Sequence, residues 1–503
     1  MSGAAPHEFK LADARLSRPP AEIFTRLSQA PGLARERRHF REFMAVDKAH
    51  TVMLVEQGIL SAGHGRAILD VLLEIEAGGV DGLAVDATRG SFLLQVEARL
   101  AERLGEDVGG RMHTGRSRID QGATVRRLFK RGRLLQVMGH LLDLEAAILA
   151  LAGRHRRTLM PGYTHMQHAQ PWIFGHYLHS FFVKFREDFE RMTEGYRRLN
   201  LNPLGTVGLS GTSWPLDRAR TTALLGFGGL VENSKLGREA YYAAETVAGL
   251  SYVMADLNDL ATDLHVWSSH EFGLVECDDA FCGTSSIFPQ KKNPAALETI
   301  KKSAGAATQW LAEAFATYRG EGTGDQAIRE LSMIDRAFDA TEAMVQLMAA
   351  ILETLVVHEQ RMHALASENF ATASHLADVI VRDRDLSYRE SHHVVGRFVR
   401  RCLELKVAPA ATTGEGLDVA ALETIGQPLG FSDAEVRDAL DADRFVATRA
   451  TAGSVAPAEV DRMLETAASE AAAMRAWLDG ERARIADGAA ALDRAIGAIR
   501  ATG

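Results

Sequence analysis

The sequence predicts an all-α protein built around a bundle of very long helices. Three observations carry this: an apolar repeat lasting more than thirty residues after Gln121, further apolar stripes at alternating steps of three and four, and no period-two pattern long enough for a strand. In the first repeat Leu128, Leu135, Leu142 and Leu149 recur every seven residues, with Leu134, Leu141 and Ile148 beside them and no proline between. A second stripe runs through Val247, Leu250, Met254, Leu257, Ala261 and Leu264, and a third through Met344, Leu347, Met348, Ile351 and Leu355. Several helices of this length exceed what one chain of 503 residues is expected to enclose, so the bundle is expected to be shared between subunits.

Taken in order, residues 1 to about 38 are polar, broken by Pro19 and Pro20, and read as a tail or an arm. A helix is expected from Phe40 to Gly58. Ser61 caps a second, with Ile68, Leu72 and Ile75 inside, which ends at Gly78-Gly79, and a third runs from about Ser91 to Leu104. These form an N-terminal unit, 1–115, followed by the long-helix bundle, 116–370, and a C-terminal helical unit, 371–503. In the last, Ser387 with Glu390 and Ser432 with Glu435 fit capping boxes, while 407–417 and 450–457 read as loops.

A composition of 46% hydrophobic and 24% charged residues is that of a globular protein. A net charge of -9 without a long basic face argues against nucleic acid as a partner. Cys277, Cys282 and Cys402 are odd in number and lack metal-ligand spacing, so they are expected to be packing residues in a reducing compartment. The N-terminus has no apolar core of a leader, and no uninterrupted apolar run approaches the roughly 18 residues of a membrane span. A soluble, cytoplasmic protein without membrane partners is expected.

Three polar motifs interrupt the helices: Thr114 to Gln121, Pro161 to Pro171, and Gly283 to Pro294. The third packs two adjacent hydroxyls, two ammoniums and a carboxamide between glycine and prolines, and so reads as a loop. Such a loop can surround a carboxylate and hold the charge that develops when the neighbouring carbon loses a proton. In the second, His165 beside Thr164 suits proton transfer to a leaving amine.

Ser285-Ser-Ile-Phe-Pro-Gln-Lys-Lys-Asn-Pro294 resembles the signature loop Gly-Ser-Ser-x-Met-Pro-x-Lys-x-Asn of the aspartase/fumarase superfamily, with Thr284 in the glycine place and Phe288 in the methionine place. Thr114-Gly-Arg-Ser-Arg-Ile-Asp-Gln121 and Pro161-Gly-Tyr-Thr-His-Met-Gln-His-Ala-Gln-Pro171 resemble motifs of its argininosuccinate lyase branch, and the similarity extends from about residue 40 to 460. The resemblance implies a tetramer whose sites each draw on three subunits, with no metal or organic cofactor. It also implies anti elimination of fumarate from an N-substituted aspartate, such as argininosuccinate or ethylenediamine-disuccinate. Ser285 would be the base, His165 with Thr164 would serve the departing nitrogen, Glu298 would orient the imidazole, and Lys291 would hold the aci-carboxylate. Ser117, Arg118, Ser286, Asn293, Gln167 and Gln121 would bind substrate. The alternative is a silent structural homologue of the crystallin kind.

The chain departs from the pattern where the branch contacts the amine half. Ile119 replaces an asparagine, the branch's Asp-x-His is replaced around Ser91 to Leu93, and Gly324, Asp325, Glu330 and Met333 stand near a usual tyrosine, glutamine and lysine. Argininosuccinate is therefore expected to be a poor substrate, although Asp325 and Glu330 offer partners to a cationic amine.

Overall fold

The computed structural model describes residues 19–319 and 332–502, which are predominantly helical. The N-terminal helices are Ala30–Arg38, Phe40–Glu56, Ala62–Gly82 and Phe92–Leu104. Ser61 caps the third by accepting from the His64 N–H at 3.2 Å, and that helix breaks at Gly79, whose φ of 68° a residue with a Cβ would resist. The described part of the expected tail packs on its own chain: Leu33 is buried, Arg37 pairs with Asp81 at 2.8 Å and Arg38 with Asp335 at 2.5 Å.

The bundle is made of Arg118–Arg154, Phe174–Leu199, Tyr241–Trp267, Ala295–Ala307, Met333–Thr354 and Pro457–Ala501. Side-chain contacts fix the direction of each. Arg127 donates to the Arg198 and Leu199 carbonyls, at 2.8 and 3.0 Å, so Phe174–Leu199 runs antiparallel to Arg118–Arg154. Its other end sets Tyr177 edge-on to Trp267, centroids 4.7 Å apart, while Arg127 also lies 3.9 Å over the Tyr242 ring. The Tyr241–Trp267 helix therefore runs back alongside the first.

Two expectations are set against the packing here. Val247, Leu250, Met254, Leu257, Ala261 and Leu264 are all fully buried within one chain, as are Met348 and Ile351. The bundle helices of one chain enclose the second stripe, whereas Leu149 of the first and Met344 and Leu347 of the third are half-buried, so the second stripe gives no reason for subunit assembly. Second, the C-terminal unit 371–503 does not pack as one. Residues 370–440 form a small core around Phe398 and Leu417, but the Pro457–Ala501 helix leaves it and runs the length of the bundle, placing Leu478 in the central core and Leu492, Ile496 and Ile499 in the N-terminal one. The boxes at Ser387 and Ser432 close as expected, whereas the loop read at 407–417 gives way to a helix at Gly414 that Thr413 caps.

Among the described residues the strands are two residues long and join in five pairs, too short to leave a periodic trace in sequence. Arg118–Arg154 is the one described helix long and apolar enough to cross a membrane, and its apolar face is buried against the other bundle helices.

Candidate active site

The first motif is built on the N-terminus of the Arg118–Arg154 helix. Ser117 is its N-cap, accepting from the Ile119 N–H at 3.1 Å, and Asp120 closes a capping box on the Ser117 N–H at 2.8 Å. The other Asp120 oxygen accepts from the Gly205 and Val207 N–H groups at 2.8 and 2.9 Å, tying the motif to the following loop. Burial raises the Asp120 pKa, against these backbone bonds, which lower it. Beneath lies a buried group the sequence reading missed. The Arg116 guanidinium and the Gln121 amide both donate to Asp47 Oδ1, at 2.6 and 2.7 Å, and neutral His50 donates Nε2–H to the Thr114 carbonyl at 2.9 Å. Burial raises the Asp47 pKa and holds that of His50 well below its usual range. Gln121, expected to bind substrate, is fully buried and committed to Asp47, so its part is structural. Arg118 is exposed, and Ser117 and Ile119 are half-buried beside it.

The second motif is a hairpin. Tyr163 pairs with His168 and Thr164 with Gln167, leaving His165 and Met166 as a two-residue turn with φ of 54° and 59°. Both angles lie in the left-handed region that the tight type I′ hairpin turn requires and that glycine or asparagine normally fills. His165 occupies this turn with its side chain exposed beside exposed Thr164 and Gln167.

The third motif is a second hairpin, Gly283 pairing with Asn293 and Thr284 with Lys292. Within it the Ser285 hydroxyl oxygen accepts from two backbone donors, the Ile287 N–H at 3.2 Å and the Phe288 N–H at 3.0 Å. Lys291 donates to the Asn293 carboxamide, and Lys292 pairs with Glu276 and Asp279, each at 2.7 Å, bonds that raise its pKa. Ser286, Ile287 and Phe288 are exposed. Lys291, Asn293 and Glu298 line a cleft of about 1080 Å³ that also holds His265 and Lys301. Buried Cys277 lies in its wall, where loss of solvent pushes the thiol up to about 12.

The fold brings the second and third motifs to one end of the bundle, where Tyr163 packs on Phe272, centroids 5.5 Å apart. It does not bring the first to them. Ser117 caps one end of a 37-residue helix and the hairpin follows its other end, so about 55 Å separates them in one chain. Glu298, expected beside His165, approaches His265 instead, at 4.0 Å, and no ion pair joins it to His165 among the described residues. Of the positions set against the amine half, Gly324, Asp325 and Glu330 lie outside the described residues, and Met333 is buried.

Known proteins share these features across most of the chain. A family described as Lyase matches residues 25–308, and one described as Argininosuccinate lyase C-terminal matches residues 370–447. The argininosuccinate lyase of Methanothermobacter thermautotrophicus is 36% identical over 446 residues, 88% of this chain and 94% of that protein. That of Methanococcoides burtonii is 36% identical over 433 residues, 85% of this chain and 86% of the relative. The crystal structure of EDDS lyase in complex with formate superposes with a TM-score of 0.87 at 33% identity, covering 96% of each chain. With a family match over half its length and relatives of this identity, the chain belongs to the argininosuccinate lyase branch of the aspartase/fumarase superfamily.

Proposed function

We propose that this chain is a carbon-nitrogen lyase that reversibly releases fumarate from an N-substituted aspartate by anti elimination. The observation that carries the mechanism is the Ser285 hydroxyl, whose oxygen already accepts two backbone N–H bonds, at 3.0 and 3.2 Å. Oriented donors on an oxygen favour its anionic form, and each is worth on the order of 3 kcal/mol when charge develops in such a site. Ser285 as alkoxide takes the proton from the carbon next to one substrate carboxylate. The electron pair moves into that carboxylate, whose aci form Lys291, Asn293 and the Ser286 N–H hold. It returns to form the carbon-carbon double bond as the carbon-nitrogen bond breaks, and His165, steadied by Thr164 and Glu298, supplies the proton to the departing nitrogen. Ser117, Arg118 and Gln167 bind the substrate's carboxylates.

A site containing both Arg118 and His165 needs more than one chain, because about 55 Å of helix separates them. We therefore propose a homotetramer with antiparallel subunits and shared sites, acting in the cytoplasm. Within the subunit, the units 1–115, 116–370 and 371–456 are proposed as domains, the last helix belonging to the bundle. The amine half meets Ile119 instead of a hydrogen-bonding side chain, which favours amines other than the amino acid of argininosuccinate.

The test of the base compares Ser285→Ala with Ser286→Ala in amination of fumarate. Ser285→Ala should cut kcat by about 10²- to 10⁴-fold without loss of folding, and Ser286→Ala by far less. The reverse order would assign the base to the wrong serine.

A further inference from the structure

The cleft beside the signature loop contains a group that this mechanism leaves unused. His265 stands in the last turn of the Tyr241–Trp267 helix, half-buried, with its ring facing Ala295–Ala307. Its Nδ1 lies 3.3 Å from the Lys301 ammonium and its Nε2 lies 4.0 Å from Glu298 Oε1. An ammonium only donates, so Nδ1 must accept. In the neutral imidazole the proton is then on Nε2, the ring nitrogen on the carboxylate side. Lys301 thus sets the tautomer that His265 offers to Glu298. Glu298 and Lys301 are three residues apart on one helix, and the imidazole reaches across from the neighbouring helix to both. Among the described residues His265 is the one basic group within 4.0 Å of Glu298, whose side chain is otherwise 60% exposed.

We propose that His265, held by Lys301, is a positioning residue for Glu298. It restrains an exposed carboxylate towards the cleft that Lys291 and Asn293 line, in the pose needed to receive the imidazole of His165 from a neighbouring subunit. A free glutamate on that helix turn would sample several rotamers, and displacing a catalytic partner by about 1 Å can cost up to about 10² in rate. The proposal rests on the lyase reading above, and its test separates the two.

Kinetics of fumarate amination are compared for His265→Ala, His265→Gln, Glu298→Gln and the double variant His265→Ala/Glu298→Gln. His265→Ala should lower kcat about fivefold with KM for fumarate little changed, as for loss of one partly exposed charge contact. His265→Gln should recover most of the loss, because its amide N–H reaches the same carboxylate. In the Glu298→Gln background His265→Ala should cost nothing further. Full kcat in His265→Ala, or a loss that adds to that of Glu298→Gln, overturns the proposal, since an incidental surface pair would behave in one of those ways. The crystal structure of His265→Ala gives a reading that needs no activity: the Glu298 carboxylate should leave the place it holds 4.0 Å from the imidazole, and an unmoved carboxylate overturns the proposal. Absence of turnover in the unmodified enzyme would instead defeat the lyase reading, leaving the crystallographic result to decide the positioning claim.

Discussion

Two inactive variants of this chain should restore activity to each other, because the distance along one helix forbids a single-chain site. Arg118 follows the N-cap and His165 lies beyond the C-cap of a 37-residue helix, and at 1.5 Å per residue they stand about 55 Å apart. No substrate of a few carbon atoms spans that, so a site using both side chains, as proposed above, takes Arg118 from one subunit and His165 from another. Arg118→Ala removes an exposed side chain that has no hydrogen bond or ion pair among the described residues, so folding is spared. His165→Asn removes the imidazole while keeping a residue that tolerates the φ of 54°. Each alone should be nearly inactive. In tetramers assembled from an equal mixture, a site has a one-half chance of receiving an intact Arg118 and an independent one-half chance of an intact His165. The mixture should therefore reach about one quarter of the unmodified specific activity. The assay is co-expression of the two variants with different tags, purification through both, and fumarate absorbance in the ultraviolet. A mixed assembly no more active than the sum of its parents would refute the shared site and the antiparallel arrangement with it.

Three further outcomes are expected. Burial pushes the Glu145 carboxyl up to about 8 from 4.5, against the lowering by Arg475 and Arg186 and with Asp188 and Glu470 adding to the rise. The folded state then keeps a proton that the unfolded chain loses above 4.5, so this group's contribution to stability falls by about 1.4 kcal/mol per pH unit until about 8. Denaturant unfolding at fixed protein concentration should find Glu145→Gln gaining about 2 to 5 kcal/mol relative to the native chain between pH 5 and pH 9, and a pH-independent difference would contradict the burial argument. Arg116→Ala strips the fully buried Asp47 of its guanidinium, leaving one amide on the carboxylate, and should cost about 3 to 5 kcal/mol by the same method. Ile119→Asn restores a hydrogen-bonding side chain beside Ser117 and should raise kcat/KM for argininosuccinate about tenfold without a matching rise for aspartates bearing apolar amines. An unchanged ratio would place the amine half elsewhere.

Much of the fold was legible because its signals are long. A seven-residue repeat over about six turns defines a helix whatever surrounds it, and the serines at 61, 387 and 432 announce helix starts by a local hydrogen bond that needs no tertiary context. The number of subunits a bundle needs is not local. The same stripes fit a shared bundle or a single chain, and only the packing of Phe174–Leu199, Ala295–Ala307 and Met333–Thr354 around Tyr241–Trp267 decides that Leu250 or Met254 is already covered. The three motifs were readable as chemistry by residue type. The backbone feature that marks His165, a left-handed turn filled by histidine and methionine, has no sequence signal, since Asn-Gly is what such a turn normally displays. Gln121 was misread for a related reason: one residue along a helix turns a side chain through about 100°, and here that carries it inward to Asp47. Asp47 and His265 were missed because each acts through a partner distant in sequence, 69 residues away for Arg116 and 36 for Lys301.

The measurement that reaches the central claim most directly is fumarate release followed in the ultraviolet, with argininosuccinate, aspartate, adenylosuccinate and aspartates carrying diamines or amino acids on nitrogen, for the unmodified enzyme and Ser285→Ala in parallel. The account predicts fumarate from at least one aspartate substituted on nitrogen, slower release from argininosuccinate than from that substrate, and loss of the signal in Ser285→Ala. Release of no fumarate from any of them, or equal release by Ser285→Ala, would contradict it.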